Sequence, residues 1–324
     1  MFDIVTFGSA TQDILVKPKK LTSLKYYKKS SAGGEVCFPM GSKIDIEDVK
    51  FYSGGGGTNT AATFALQGFK TAFCGMVGDD ISGQKITNEL NELKIDTKLV
   101  LKTKEKPTYH SIIIFGNDTD RTIFTYRGAA ELMNKNNIPW EKLKTKWIYL
   151  APLTGLLCDS FQELVDFAKN NNIKVAANPS MAQLSLPNFL KICPKINILI
   201  LNQEETSFLT KIPFDNENEI FKKIKEVFSD IVIMTKGGEG VVVSNGKFIY
   251  RAKPYIERKI VDTTGAGDAF GSGFVAEFIR TNGEIEKSIQ FAMANSAGCL
   301  SEIGAKNRLL KKGQEFYRVQ VIKE

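Results

Sequence analysis

The sequence predicts an α/β fold: a mainly parallel sheet with helices on both faces and a small β appendage. Three observations lead there. Short, nearly continuous apolar runs rich in β-branched residues recur along the chain, helical patterns lie between them, and two segments break that alternation.

The first run, residues 4–7, ends at Gly8 and reads as a strand. Runs at 71–74, 147–150, 174–177, 198–201 and 231–234 repeat the pattern expected of strands covered on both sides. Residues 160–170 and 217–228 read as helices between strands, and 61–67 as a helical run behind a glycine tract. Such alternation argues for parallel pairing, with ligands bound beyond the carboxyl ends of the strands. Residues about 16–52, rich in lysine and glycine, and about 107–128, a hairpin of 111–115 and 122–126 around Gly116-Asn117-Asp118-Thr119, form the appendage. No repeat, low-complexity tract or Pro/Gly-rich linker divides the chain, so residues 1–324 are expected to form a single domain.

Composition narrows the function. A hydrophobic content of 43% over 324 residues can fill a substantial core. The net charge of +7 is spread along the chain among nearly as many acids, which reads as a lysine-rich soluble surface and not as a nucleic-acid footprint. Cysteines 37, 74, 158, 193 and 299 form no C-x-x-C pair, so neither a zinc site nor a disulfide framework is indicated, and a cytoplasmic location is expected. No signal-peptide pattern and no apolar stretch of membrane-spanning length is present. The single histidine, His110, excludes mechanisms that need two, and its place in an expected strand points to a structural role.

The strongest chemical signal is the run Asp262-Thr263-Thr264-Gly265-Ala266-Gly267-Asp268-Ala269-Phe270-Gly271-Ser272-Gly273-Phe274. Phe270, Phe274 and Phe278 recur at helical spacing, which sets a helix directly behind Gly265-Ala266-Gly267. Free N–H groups and the positive dipole end make such a helix start an anion site, and glycines let a phosphate approach closely. Asp268 falls in its first turn. The dipole alone favours an acid there, but a carboxylate beside bound phosphate also suits a base that takes the proton of an attacking hydroxyl. The dipole is expected to lower its pKa, so that proton transfer comes late. Other nucleotide motifs fail: residues 240–247 miss the Walker A spacing and its hydroxyl residue, and Gly271 to Ala276 spells a dinucleotide fingerprint inside a helix, where its glycines read as close-packing positions.

A second glycine tract, Gly54-Gly55-Gly56-Gly57-Thr58-Asn59-Thr60-Ala61, bends the backbone ahead of a helical run, and Asn59 offers an amide that donates and accepts. With these two motifs in this order, the chain resembles the ribokinase-like, or PfkB, family of carbohydrate kinases over essentially its whole length. The resemblance implies a ribokinase-like α/β fold whose β appendage is a lid over the acceptor. It implies an ATP-dependent phosphotransferase with Asp268 as catalytic base and Gly265, Ala266 and Gly267 as the anion hole. Gly55, Gly56, Gly57, Asn59 and Asp13 would bind the acceptor. Asn202-Gln203-Glu204-Glu205 is similar to the family's N-x-x-E motif, so Asn202 and Glu205 would orient hydrated Mg²⁺ and phosphates, although the same letters also make a helix cap. Thr235-Lys236-Gly237-Gly238-Glu239-Gly240 looks like the nucleotide-side loop, with Thr235, Gly237 and Gly240 at the nucleotide; an ordinary turn spells the same residues. Asp262 and Thr264 match positions that hold a monovalent cation in many relatives, which makes K⁺ an implied activator.

Thr11 and Gly56 depart from the asparagine and lysine of typical ribokinases, so the resemblance does not by itself assign ribose as the acceptor. A sugar-like acceptor and a nucleoside stacked on Phe38, Tyr109 or Phe124 both remain open. A catalytically silent ligand-binding regulator on the same scaffold is the alternative from another class. Arg121 and Arg127 could meet an anionic acceptor, although strand arginines also simply face solvent. Relatives' lids often pair, so a homodimer through the lid is expected, with no nucleic-acid or membrane partner.

Overall fold

The structure, a computed structural model, describes residues 1–19, 22–24, 35–37, 40–115, 121–228, 230–254 and 260–324. The expected turn at 116–119 and Phe38 lie outside them. Among the described residues the main sheet has ten strands. From one edge, Val100–Thr103, Thr71–Gly78, Phe2–Phe7, Thr145–Leu150, Lys174–Ala177, Ile198–Asn202 and Ile231–Thr235 pair in parallel; Val241–Ser244, Ile249–Ala252 and Val321–Lys323 then continue antiparallel.

The apolar runs are continuous because both faces are covered. In Ile198–Asn202, Leu199 and Leu201 enter one core with Val232 and Met234, while Ile198 and Ile200 enter the other with Ile231 and Ile233. Helices Phe161–Asn170 and Glu217–Val227 close the first core through Phe161, Leu164, Phe221 and Ile224. Helices Ala266–Arg280 and Ile285–Leu300 close the second through Phe270, Phe274, Ile289 and Ala292. Each of the Phe, Leu and Ile side chains taken out of water contributes roughly 1.5–3 kcal/mol before conformational entropy is charged against it.

Strand order reverses at Phe2–Phe7, flanked by Thr71–Gly78 and Thr145–Leu150. Connections leave in opposite directions there, and the crevice between them is where open α/β sheets bind ligands. The glycine tract lands in that crevice. Its helix spans Gly56–Leu66, starting five residues before the expected Ala61. The earlier start is possible because Gly55 takes the left-handed φ of 97°, and the hydroxyls of Thr58 and Thr60 bond back to the Gly54 and Gly56 carbonyls at 2.7 Å.

A second sheet runs Ile46–Gly54, Thr11–Pro18, Tyr109–Phe115, Arg121–Tyr126. Its first segment runs from Thr11 to Gly54, wider than the expected 16–52, because Thr11 pairs with both Gly54 and Tyr109, while its second, Tyr109–Phe115 with Arg121–Tyr126, falls within the expected 107–128. The sheet has two unlike faces. Asp13, Tyr52 and Ser111 share one register row and hence one face. Ile14, Phe51, Ile112 and Phe124 share the neighbouring row, on the opposite face.

Candidate active site

Helix Ala266–Arg280 starts as its sequence dictates. Gly265 caps it at φ 77°, a left-handed conformation, and a Cβ there would lie 2.4 Å from the Ala305 Cβ. Ala269 N–H is the first to bond within the helix, to the Gly265 carbonyl at 2.8 Å. The first-turn N–H groups of Gly267 and Asp268 have no intrahelical partner. Gly267 is exposed, with nothing within 4 Å of where its Cβ would stand. Open space above free N–H groups at a helix start is the geometry that receives an anion.

Asp268 is half-buried beside that opening. Its Oδ2 accepts a 2.9 Å hydrogen bond from Asn59 Nδ2, which ties the late helix to the first glycine tract. Burial holds the Asp268 pKa above the ordinary 3.8, with the Asn59 bond pulling the other way. This corrects the expected depression: desolvation by packed protein outweighs the favour of the helix dipole, and Asp268 is a stronger base than an N-terminal acid in water. Asn59 is also corrected in part. Its amide nitrogen is directed at Asp268, and only Oδ1, buried without a partner, remains for a hydroxyl donor.

The glycines of the first tract divide. A Cβ on Gly55 would sit 2.4 Å from the Ser9 carbonyl oxygen, and one on Gly57 2.5 Å from the Phe73 ring and 2.9 Å from the Gly8 backbone. Their smallness lets the helix start press against the end of Phe2–Phe7. Gly56 instead borders the site. Its Cβ would meet Ala151, Pro152 and, at 3.4 Å, Asp268 Oδ1.

Asp13 lies on Thr11–Pro18, 7% exposed, and accepts from the Thr11 hydroxyl at 2.9 Å. Burial again raises its pKa, against the Thr11 and Ser111 hydroxyls and the charge of Lys306. Thr11, read from sequence only as a departure, is thus a direct support of the carboxylate. Lys306 was missed. Its side chain is 8% exposed, donates to Ser53 Oγ at 2.5 Å and pairs with Glu89, and burial lowers its pKa. Nothing in Gly304-Ala305-Lys306 signals this, because its partners come from distant segments.

Asn202 and Glu205 form a reciprocal capping box at helix Gln203–Thr210: Asn202 Oδ1 accepts from Glu205 N–H and Glu205 Oε2 from Asn202 N–H, both at 2.8 Å. The cap reading of these letters is therefore realised. Glu205 keeps a second oxygen, and desolvation raises its pKa. Among the described residues no group of three His, Cys, Asp or Glu could hold a metal. Mg²⁺ of the kind the family uses takes one or two protein carboxylates and completes its shell with phosphates and water, and the free oxygen of Glu205 is one carboxylate oxygen that could face it.

Thr235 ends its strand and a short turn, Gly237–Glu239, follows. Gly237 and Gly238 face open space, whereas a Cβ on Gly240 would fall 2.0 Å from the Ala252 carbonyl oxygen, so close approach explains Gly240. A cavity of about 540 Å³ adjoins this turn, lined by Lys236, Glu239, Arg251, Pro254, Tyr317 and Gln320 among others; Asp13, Asn59 and Asp268 are not in its lining.

Asp262 and Thr264 do not fit the monovalent cation as they stand. Arg121 Nη1 lies 2.5 Å from Asp262 Oδ1 and 2.6 Å from Thr264 Oγ1. Arg121, read as surface or acceptor contact, is instead a latch from the second sheet. His110 bonds to Thr108 O and Ser82 Oγ at 2.7 and 3.2 Å, the structural role expected of it.

A model of the pfkB family carbohydrate kinase matches residues 4–312. The ribokinase of Lactococcus lactis subsp. lactis is 27% identical over 314 residues, 96% of this chain and 95% of its own. The adenosine kinase of Saccharomyces cerevisiae is 27% identical over 280 residues, 81% of each chain. The structure of Arabidopsis thaliana ribokinase complexed with ribose and ATP superposes with a TM-score of 0.79 over 96% of each chain at 22% identity, a likeness of fold. Matched over nearly its whole length, with both glycine motifs brought together at the strand-order reversal, the chain belongs to the pfkB family of carbohydrate kinases.

Proposed function

We propose that the chain transfers the γ-phosphoryl group of ATP to a hydroxyl of a sugar or nucleoside, with Asp268 taking the hydroxyl proton. The observation that carries this is the Asn59–Asp268 contact beside the open start of helix Ala266–Arg280. One motif supplies the base, the other orients it, and the free N–H groups beside them suit the oxygens of a transferring phosphate.

The raised pKa makes Asp268 a better proton acceptor than an exposed aspartate. Asn59 Oδ1 and the Asp13 carboxylate are the acceptors available to fix the substrate's hydroxyls. Gly267 with Gly265 and Ala266 would line the anion hole, and Thr235, Gly237 and Gly240 the nucleotide side. Mg²⁺ bound with the nucleotide would offset phosphate charge, with Asn202 and Glu205 toward its water shell. The second sheet, carrying Asp13, would exclude water.

Ribokinase and adenosine kinase relatives match at the same 27%, so identity does not choose the acceptor. Phe124 is 53% exposed on the outer strand, which removes one stacking candidate for a base; Tyr109 is half-buried. An ADP-release assay over pentoses, hexoses, sugar phosphates and nucleosides tests the function. We expect release that depends on one acceptor class; nucleotide binding with no acceptor-dependent release from any of them would favour the silent regulator.

The outer face of the second sheet, with Phe51 61%, Phe124 53% and Ile112 41% exposed, supports a homodimer through the lid. Light scattering should give twice the chain mass, and Phe51→Glu should return it to one.

A further inference from the structure

The sheet that carries Asp13 also reaches the turn that opens the late helix, through Arg121. Arg121 begins the outer strand Arg121–Tyr126, and its register partner Phe115 lies an even number of residues from Ile113 and Ser111. Arg121 therefore shares a face with Asp13, the partner of Ser111, the face that meets the loop ahead of the late helix. There its Nη1 meets both Asp262 Oδ1 and Thr264 Oγ1.

The Asp262 side chain is 3% exposed, and a buried carboxylate requires compensating charge and donors. It has both. Oδ1 accepts from Thr264 N–H at 2.9 Å, from the Thr264 hydroxyl at 2.7 Å and from Arg121, while Oδ2 accepts from Gly304 N–H at 3.1 Å. Oδ1 has no lone pair left, and a second cation beside it would face the guanidinium across a few ångströms of protein. Thr264 immediately precedes Gly265, the left-handed cap of the helix.

We propose that Arg121 is a positioning residue that does at Asp262 and Thr264 what a bound monovalent cation would do. It neutralises the buried carboxylate and fixes the turn leading into Gly265. Turnover is then independent of K⁺, and the buried Asp262 keeps its counter-charge only while the second sheet is seated. A displaced sheet leaves Asp262 without its counter-charge and loosens the start of the helix. The chemical consequence of that loosening rests on the kinase reading; the charge compensation itself does not.

The test compares wild type and Arg121→Ala in KCl and in tetramethylammonium chloride at matched ionic strength. It has two readouts: Tm without acceptor, and ADP release with ribose and with adenosine. Wild type should show the same Tm and rate in both salts. Arg121→Ala should unfold cooperatively, lose at least about tenfold in rate in tetramethylammonium, and recover part of both Tm and rate in K⁺, which now has a vacated carboxylate to bind. Arg121→Lys, which restores a point charge, should respond to K⁺ less than the alanine variant. A wild-type response to K⁺, or an alanine variant indifferent to K⁺ in Tm, would overturn the proposal. If wild type phosphorylates neither probe, the rate readout moves to whichever acceptor the wider panel finds, the lack of any acceptor in that panel would sink the kinase reading, and the Tm comparison decides this proposal in either case.

Discussion

Two glycine turns open two helices at the same crevice, and they are built for opposite reasons. At Gly55 and Gly57 an added methyl would strike backbone or ring at 2.4–2.5 Å. At Gly267 it would meet nothing. The first turn uses glycine so that protein can pack on protein; the second leaves room for something that is not protein. The nucleotide-side turn repeats the contrast within a few residues, with Gly240 jammed and Gly237 and Gly238 open. A glycine-rich motif is thus not one signal, and the space around each missing Cβ separates packing from binding.

That contrast breaks most easily at Gly55. Gly55→Ala combines a forced left-handed residue with a backbone collision and should cost on the order of 3 kcal/mol or more, read as a large fall in Tm. Gly267→Ala should leave Tm unchanged or slightly raised, since alanine is the better helix residue, while ATP affinity measured by titration falls about tenfold. Equal losses of stability at the two positions would erase the distinction. Asn59→Ala sharpens it from the other side. It removes the donor to Asp268, so kcat should fall about tenfold, the scale of one bond to a charged group. Because that bond lowers the Asp268 pKa, the acid limb of the pH–rate profile should move to higher pH.

The smallest effect is on stability against pH. Asp268 binds its proton more tightly folded than unfolded, so its ionisation penalises the fold. The penalty is absent below the ordinary 3.8 and grows as pH rises through the raised folded value. Activity, if the carboxylate is the base as proposed, rises over the same window. The Tm of Asp268→Asn should therefore gain on wild type as pH increases from acid toward neutral, and a constant difference would contradict the raised pKa.

Much of this was legible in the residues. Continuous apolar runs marked the strands because both faces are covered, and Phe270 and Phe274 at helical spacing located the late helix and with it Asp268. What escaped was set by tertiary packing. The start of helix Gly56–Leu66 was hidden because glycines, poor helix formers, begin it under pressure from Gly8. The sign of the Asp268 shift depended on desolvation, which no local pattern records. Arg121 and Lys306 meet their partners across 141 and 217 or more residues, so their environments exist only once the chain has folded.

The most direct measurement is turnover of Asp268→Asn beside its nucleotide-induced rise in Tm. With Asp268 as the base next to an intact phosphate cradle, kcat should drop at least about a hundredfold while ATP still raises Tm as it does in wild type. Near-normal turnover would contradict the assignment of the base, and loss of the ATP-induced Tm rise would mean that the carboxylate serves nucleotide binding and not proton transfer.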